Sequence, residues 1–192
     1  MFRFRSCAAL AVCTALAACA ALSPTYEPVQ RAPAFDLVGR VAVNYDGRAF
    51  SSGVRWTHQE TSDEIWLLTP VGQTLAHIIA DGSGATLTGA DRKQVQGGDV
   101  ESLTRRGLGW ELPLARLAWW ARGEIVPGGL IGEVTRDEQG RLVRLVQDGW
   151  RITIVHHPPE DRSSLPRRLE LTREGHQIRL VIDSWPRDGE AQ

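Results

Sequence analysis

The chain has 192 residues, 22 Lys and Arg against 23 Asp and Glu, and a formal net charge of −1. That length fits one domain with a short appendage, and it buries a core without disulfide staples. A hydrophobic share of 42% and a charged share of 23% exclude a disordered chain, a fibrous repeat and a polytopic membrane protein. The balanced charge gives no argument for a nucleic-acid partner.

All three cysteines, Cys7, Cys13 and Cys19, fall in the first nineteen residues. The rest of the chain therefore has neither a disulfide framework nor a thiolate metal site. Arg3 and Arg5 form a basic start, residues 7–16 an uncharged apolar run, and Leu16-Ala17-Ala18-Cys19 its close. The run is too short to span a bilayer, which takes roughly 20 apolar residues. It has the length of a signal-peptide core. Its ending resembles the bacterial lipobox. The resemblance implies removal of residues 1–18 and lipidation of Cys19 by covalent N-acyl and S-diacylglycerol chains, with no other cofactor. A plain secretory leader with a chance cysteine is the alternative. Several chains hold a protein stably where one gives marginal anchoring. Ala20 follows Cys19 in place of the aspartate that commonly retains such proteins at the inner membrane. The outer membrane is the address this implies. Residues 19–34 contain Pro24, Pro28 and Pro33 and read as the lipidated N-terminus and an extended tether. The folded domain is expected over 35–192.

From Phe35 the signals are mostly β. Residues 35–45 read as a strand that turns at Asp46-Gly47. Residues 53–58, 64–69, 74–80 and 85–89 follow at hairpin spacing. Asp99 is placed to cap a helix running to about Gly107. Pro113 opens a second helix in which Leu114, Leu117, Trp120 and Ala121 share a face, and Gly123 stops it. The β pattern then resumes at 132–136, paired with 142–147. Trp150, Ile152 and Ile154 alternate with Arg151, Thr153 and Val155. Leu169 and Leu171, then Ile178, Leu180 and Ile182, repeat that alternation. The fold class is mainly β: an antiparallel sheet of about eleven strands with one dry face. Such a face must be covered. Two short helices are few for so wide a sheet, so they lid a concave face and leave an apolar cavity.

Catalytic motifs are missing from the sequence. It has no Gly-x-Ser-x-Gly elbow, no phosphate loop and no His-Glu-x-x-His. His156 and His157 are adjacent, so on a strand their rings point to opposite faces and do not share a metal. Asp36 and Asp183 have outward phase and read as solvated or ion-paired, and Arg40 as structural or partner-facing. No catalytic residue and no metal site is expected, and the chain is not read as an enzyme. The seven tryptophans carry more. Trp56, Trp120 and Trp150 fall where they can line a space between helix and sheet, although core packing explains most single tryptophans. The segment Thr69-Pro70-Val71-Gly72-Gln73 joins two apolar strands and projects Val71 from the sheet edge at a loop tip. Burying a valine yields about 1.5 kcal/mol, too little to anchor a protein but enough to bias an orientation or a release step.

These features together resemble the LolB family of outer-membrane lipoproteins, from about Phe35 to Trp185 and at the anchor. The residues that carry the resemblance begin with the run from Phe35 and Leu37 through Gly39-Arg40-Val41-Ala42-Val43. Val54-Arg55-Trp56 and Leu67-Leu68-Thr69-Pro70-Val71-Gly72 follow. After these come Leu108-Gly109 with Leu112-Pro113-Leu114, and then Trp120-Ala121-Arg122-Gly123. Gln147-Asp148-Gly149-Trp150, Leu165-Pro166 with Leu169, and Ile182-Asp183-Ser184-Trp185 complete the set. Their order and spacing are specific together. The resemblance implies an incomplete antiparallel barrel closed by helices around a lipid-binding cavity. It implies a receptor that takes acylated lipoprotein cargo from a periplasmic carrier and inserts it into the inner leaflet of the outer membrane of a Gram-negative bacterium. The protein would face the periplasm as a lipid-anchored monomer, work without nucleotide hydrolysis and touch no nucleic acid. The protruding loop would be Pro70, Val71 and Gly72, with Val71 at the insertion tip where many members carry leucine. The inward phase of the strands names Trp56, Trp150, Ile152, Ile154, Leu169, Leu171, Leu180 and Ile182 as cavity lining, with Trp120 from the lid. The main rival is an outer-membrane scaffold lipoprotein with a filled core. The soluble periplasmic carrier and a periplasmic hydrolase are further alternatives, argued against by the lipobox and by the missing motifs.

Overall fold

A computed structural model describes residues 30–158 and 165–186. The leader, Cys19 and most of the tether lie outside the described residues. Residues 31–192 form one unit. Its first five strands are β1 (Phe35–Tyr45), β2 (Arg48–His58), β3 (Ser62–Leu68), β4 (Thr74–Asp81) and β5 (Gly84–Gly89). A short β6 (Gln94–Gly97) precedes helices α1 (Val100–Leu108) and α2 (Leu114–Ala121). The chain ends in β7 (Ile131–Arg136), β8 (Leu142–Gln147), β9 (Trp150–His156), β10 (Pro166–Arg173) and β11 (His176–Ser184).

The strands form a single antiparallel sheet in the order β6-β5-β4-β3-β2-β1-β11-β10-β9-β8-β7. The sheet is open, with β6 and β7 as its edges. The chain leaves one edge and returns at the other, so α1 and α2 lie across the face between them. Every other strand neighbour is joined by a hairpin except at the centre, where β1 pairs with β11. Tight turns make two of these connections. Asp46-Gly47 and Asp148-Gly149 each place two successive residues at positive φ, the requirement of a type I′ turn.

The helices follow their sequence signals. The Asp99 side chain accepts from the Ser102 N–H at 2.7 Å and caps α1. Gly109, with φ +81°, ends it in the left-handed conformation. Pro113 precedes α2, and Gly123 follows it at φ +76°. Alternation is regular in β9, where Trp150, Ile152 and Ile154 are buried and Arg151 and Thr153 exposed. The four-residue strand Gln94–Gly97 was not among the strands read from the pattern. It is too short and polar to show a period.

Two features fix the frame. At the central seam, Gly39 of β1 faces the backbone of β11. A Cβ there would stand 2.2 Å from the Val181 carbonyl oxygen, and the register shifts between Val38 and Gly39. At the end of the sheet where β1 begins, the buried Asp63 carboxylate gathers three donors: Trp56 Nε1 at 2.8 Å, His58 Nδ1 at 2.6 Å and Arg31 Nη2 at 2.5 Å. The His58 Nε2 lies 3.0 Å from the Ala32 carbonyl. The folded unit thus takes in Arg31 to Ala34, which the proline pattern had assigned to the tether.

Gly39→Ala is expected to lower unfolding stability by about 1–3 kcal/mol, the cost of forcing an atom into a filled space. Urea titration of the purified folded domain checks this, and an unchanged midpoint refutes the close-approach argument.

Candidate functional site

The concave face is built from strand phase. In β9, β10 and β11 the inward residues stand opposite one another across the ladders. Ile154 faces Leu169, which faces Leu180, and Ile152 faces Leu171. Trp120 reaches this face from α2, with its ring centroid 6.3 Å from that of Trp150. All nine residues expected to line a cavity point to this side, and none exceeds 3% exposure. They are packed against one another and the helices. A pocket of about 290 Å³ shares none of the nine and opens beside Ala42, Asn44, Ala49, Ser51, Gln177 and Arg179. Those six side chains are exposed. Trp56 is also inward, but its indole is committed to Asp63 and its ring packs edge-on to Phe35.

What holds the lid was not legible in the sequence. Gln147, at the end of β8, is fully buried. Its Oε1 accepts from Trp120 Nε1 at 3.0 Å and from the Val126 N–H at 3.1 Å. Its Nε2 donates to the Val126 carbonyl at 2.7 Å. One side chain therefore ties both α2 and the loop after it to the sheet. The neighbouring Asp148 extends the tie. Its Oδ2 accepts from Arg116 Nε of α2 at 3.1 Å, and its Oδ1 accepts from the Leu130 N–H at 2.9 Å. Burial pushes the Glu101 carboxyl of α1 above the ordinary carboxylate range, against the opposing pull of Arg116. The available signal for Gln147 was its inward phase next to Trp150, which a glutamine occupies only with partners.

The end of the sheet opposite Asp63 carries the loop between β3 and β4. The Thr69 N–H donates to the Gln73 carbonyl at 2.8 Å, and the Gly72 N–H donates to the Thr69 carbonyl at 2.9 Å. Thr69 Oγ1 accepts from the Gln73 N–H at 3.0 Å. Gly72 sits at φ +81°. This closed turn presents Val71 outward at 80% exposure. The loop joins the ends of two interior strands and so projects from the rim of the sheet. An aromatic cluster lies at the same end. Tyr45 stacks on His176 at 4.0 Å, and the Arg173 guanidinium lies 4.5 Å over Trp150. Burial, aided by Arg173, holds the His176 imidazole below the ordinary histidine range.

The remaining residues have ordinary roles. Arg40 pairs with Asp183 at 2.7 Å, and Asp36 accepts from the Thr57 hydroxyl at 2.6 Å. His156 Nε2 lies 2.8 Å from the Leu142 carbonyl. Among the described residues no group of three His, Cys, Asp or Glu is placed to hold a metal ion, and no helix is long and apolar enough to cross a membrane.

A family model described as outer membrane lipoprotein LolB matches residues 33–185, a range that holds all eleven strands and both helices. The chain belongs to the LolB family. An outer-membrane lipoprotein LolB of Nitrosomonas europaea is 37% identical over 182 residues, covering 93% of this chain and 85% of its own length. Another from Chromobacterium violaceum is 40% identical over 162 residues, covering 84% and 85%. In fold, the chain resembles the crystal structure of an outer membrane lipoprotein-sorting protein domain from Vibrio parahaemolyticus. That match has a TM-score of 0.51 and 11% identity, with 83% of this chain and 87% of that one covered. Membership in the LolB family places the chain among outer-membrane lipoproteins and not among enzymes.

Gln147→Leu leaves Trp120 Nε1 and both Val126 backbone groups without partners, at about 1–3 kcal/mol for each buried group left unpaired. Chemical denaturation should show a loss of that order. A second expectation concerns pH. His176 has a folded pKa below its unfolded value near 6.5, so its contribution to stability is present above that value and is lost as pH falls below it. Thermal melts between pH 7.5 and pH 5, as an order-of-magnitude window for histidine titration, should fall less steeply in His176→Gln.

Proposed function

We propose that this LolB-family chain accepts acylated lipoproteins from a periplasmic carrier, sheathes their acyl chains against its concave face and inserts them into the outer membrane. The observation that carries this reading is an eleven-strand sheet whose dry face is covered by only two short helices, with an exposed valine at the tip of a loop on one rim. The eight inward strand residues supply the apolar lining once α2, which carries Trp120, lifts. Each methylene moved from lipid to water costs about 0.8 kcal/mol, so a triacylated cargo in open periplasm faces a barrier on the order of tens of kcal/mol. A sheath throughout transfer removes that barrier. Transfer then runs down a gradient of affinity, from carrier to this protein to bilayer, without nucleotide hydrolysis.

In this reading residues 1–18 are the cleaved leader and Cys19 bears the lipid anchor. The short tether that follows holds one monomeric domain on the periplasmic side. Pro70, Val71 and Gly72 form the insertion loop. Valine is smaller than leucine, so the tip biases release and does not anchor the molecule. A second reading, a scaffold lipoprotein with a permanently filled core, is favoured by the near-zero exposure of the nine inward residues. Titration with a fluorescent fatty acid separates the two, because a filled core takes none up.

The direct test presents acylated cargo on its carrier to the protein together with lipid vesicles, and measures where the cargo resides. Val71→Glu should accept cargo as the wild type does and deliver at least several-fold less to the vesicles. Unimpaired delivery would overturn the role of the loop. Failure of the wild type to take up cargo would overturn the acceptor reading.

A further inference from the structure

Leu130 is 81% exposed and Ile131, beside it, 54%. Both follow the Pro127-Gly128-Gly129 loop and open β7. Strand direction fixes where they stand. Ile131 pairs with Gln147, whose strand runs directly into the Asp148-Gly149 turn. Following the antiparallel ladders across the sheet, that turn, the β10–β11 turn, the β1–β2 turn and the β3–β4 loop all lie at one end. Leu130 and Val71 therefore crown the same rim. A single exposed leucine is ordinary. Two large apolar tips on one rim of a lipoprotein define a surface with a direction.

The Leu130 backbone is held in place. Its carbonyl accepts from the Asp148 N–H at 3.0 Å, and its N–H donates to Asp148 Oδ1 at 2.9 Å. The other oxygen of Asp148 accepts from Arg116 of α2 at 3.1 Å. Gln147, the adjacent residue, bonds Trp120 of α2 and Val126 of the loop that leads to Leu130. The loop that presents Leu130 and the helix that covers the concave face thus hang on the same two residues.

The length of the tether fits a bilayer on this rim. The folded unit begins at Arg31, fastened to Asp63 at the opposite end. The twelve-residue step from Cys19 to Arg31 reaches at most roughly 40 Å. An eleven-residue strand such as β1 is about 37 Å long, and its height is smaller when tilted. A lipid on Cys19 can therefore lie level with the far rim.

We infer that Leu130 and Ile131 form a second bilayer contact on the same rim as Val71, at the β7 edge of the sheet, and that through Asp148 and Gln147 this contact loosens the hold on α2, so that touching lipid and uncovering the acyl-binding face are one event. This rests on the transfer function proposed above.

The test uses the full lipidated protein in phosphatidylethanolamine and phosphatidylglycerol vesicles. Leu130→Cys, Val71→Cys and Ile79→Cys each place one thiol for an environment-sensitive dye, since Cys19 is acylated. Dyes at 130 and 71 should shift to the blue and be quenched by nitroxide lipids, while the dye at 79, on a strand away from the rim, should do neither. A dye at 130 that stays in water while that at 71 is quenched overturns this inference alone. If both stay in water, the insertion-loop reading falls with it. A shift at 130 that appears only on adding the carrier assigns the surface to a protein and overturns the bilayer contact. Leu130→Glu leaves the buried packing untouched and should slow cargo release to vesicles several-fold with acceptance unchanged. Release at the wild-type rate would overturn the link to α2.

Discussion

An open sheet with one continuous apolar face is the constraint from which the rest of this molecule follows. Closure into a barrel would remove both edges and seal the interior. Here the edges β6 and β7 stay apart, and the chain must cross the face to get from one to the other. That crossing supplies α1 and α2, and so the cover is made of the same segment that makes the connection. A cover of this kind is separable from the sheet in a way that a strand is not. Its apolar side chains pack on the core, and its polar ties to the sheet at α2 are concentrated in Gln147 and Asp148, whereas the sheet beneath is held by ladders along its whole width.

The two ends of the sheet divide the work. One end carries a charged, buried clamp in which Asp63 holds Trp56, His58 and Arg31, and it fixes where the folded unit begins. A buried carboxylate with three donors is costly to disturb, since removing one partner of such a set leaves a charge unpaired. The other end carries exposed apolar tips and a loosely satisfied aromatic cluster. Among the described residues, the indole N–H groups of Trp110 and Trp150 have no hydrogen-bond partner there. The sheet is thus fixed at the end where the folded unit begins and less fully satisfied at the opposite rim.

Much of this was readable from residue order. Period-two alternation located most strands, because one-sided burial writes itself into every second residue. Asp99, Pro113 and Gly123 bounded the helices because caps are local chemistry. The tip at Val71 was legible from Pro70 and Gly72 around it. The family resemblance rested on the same runs, and the match over residues 33–185 agrees with it. What was hidden is non-local. Gln147 has meaning only through Val126 and Trp120, 21 and 27 positions away, and Asp63 fixes the start of the domain through Arg31, 32 positions away. Leu130 looks like any leucine after a glycine pair until the strand directions place it on the rim with Val71. The packed state of the concave face was equally invisible, since inward phase says which side a residue faces and not how tightly the other side is filled.

The seam between β1 and β11 has a consequence for the life of the chain. These are the first and last strands, and they pair at the centre of the sheet across a separation of more than a hundred residues, with Gly39 pressed against Val181. Long-range pairing of this kind slows folding, because most of the chain must be present before its two ends can meet. A polypeptide that emerges progressively from a translocation pore would hold only half of its sheet until the final strand arrives. The central seam therefore makes completion of the sheet wait on the C-terminal strand, in whatever order the hairpins on either side of it form.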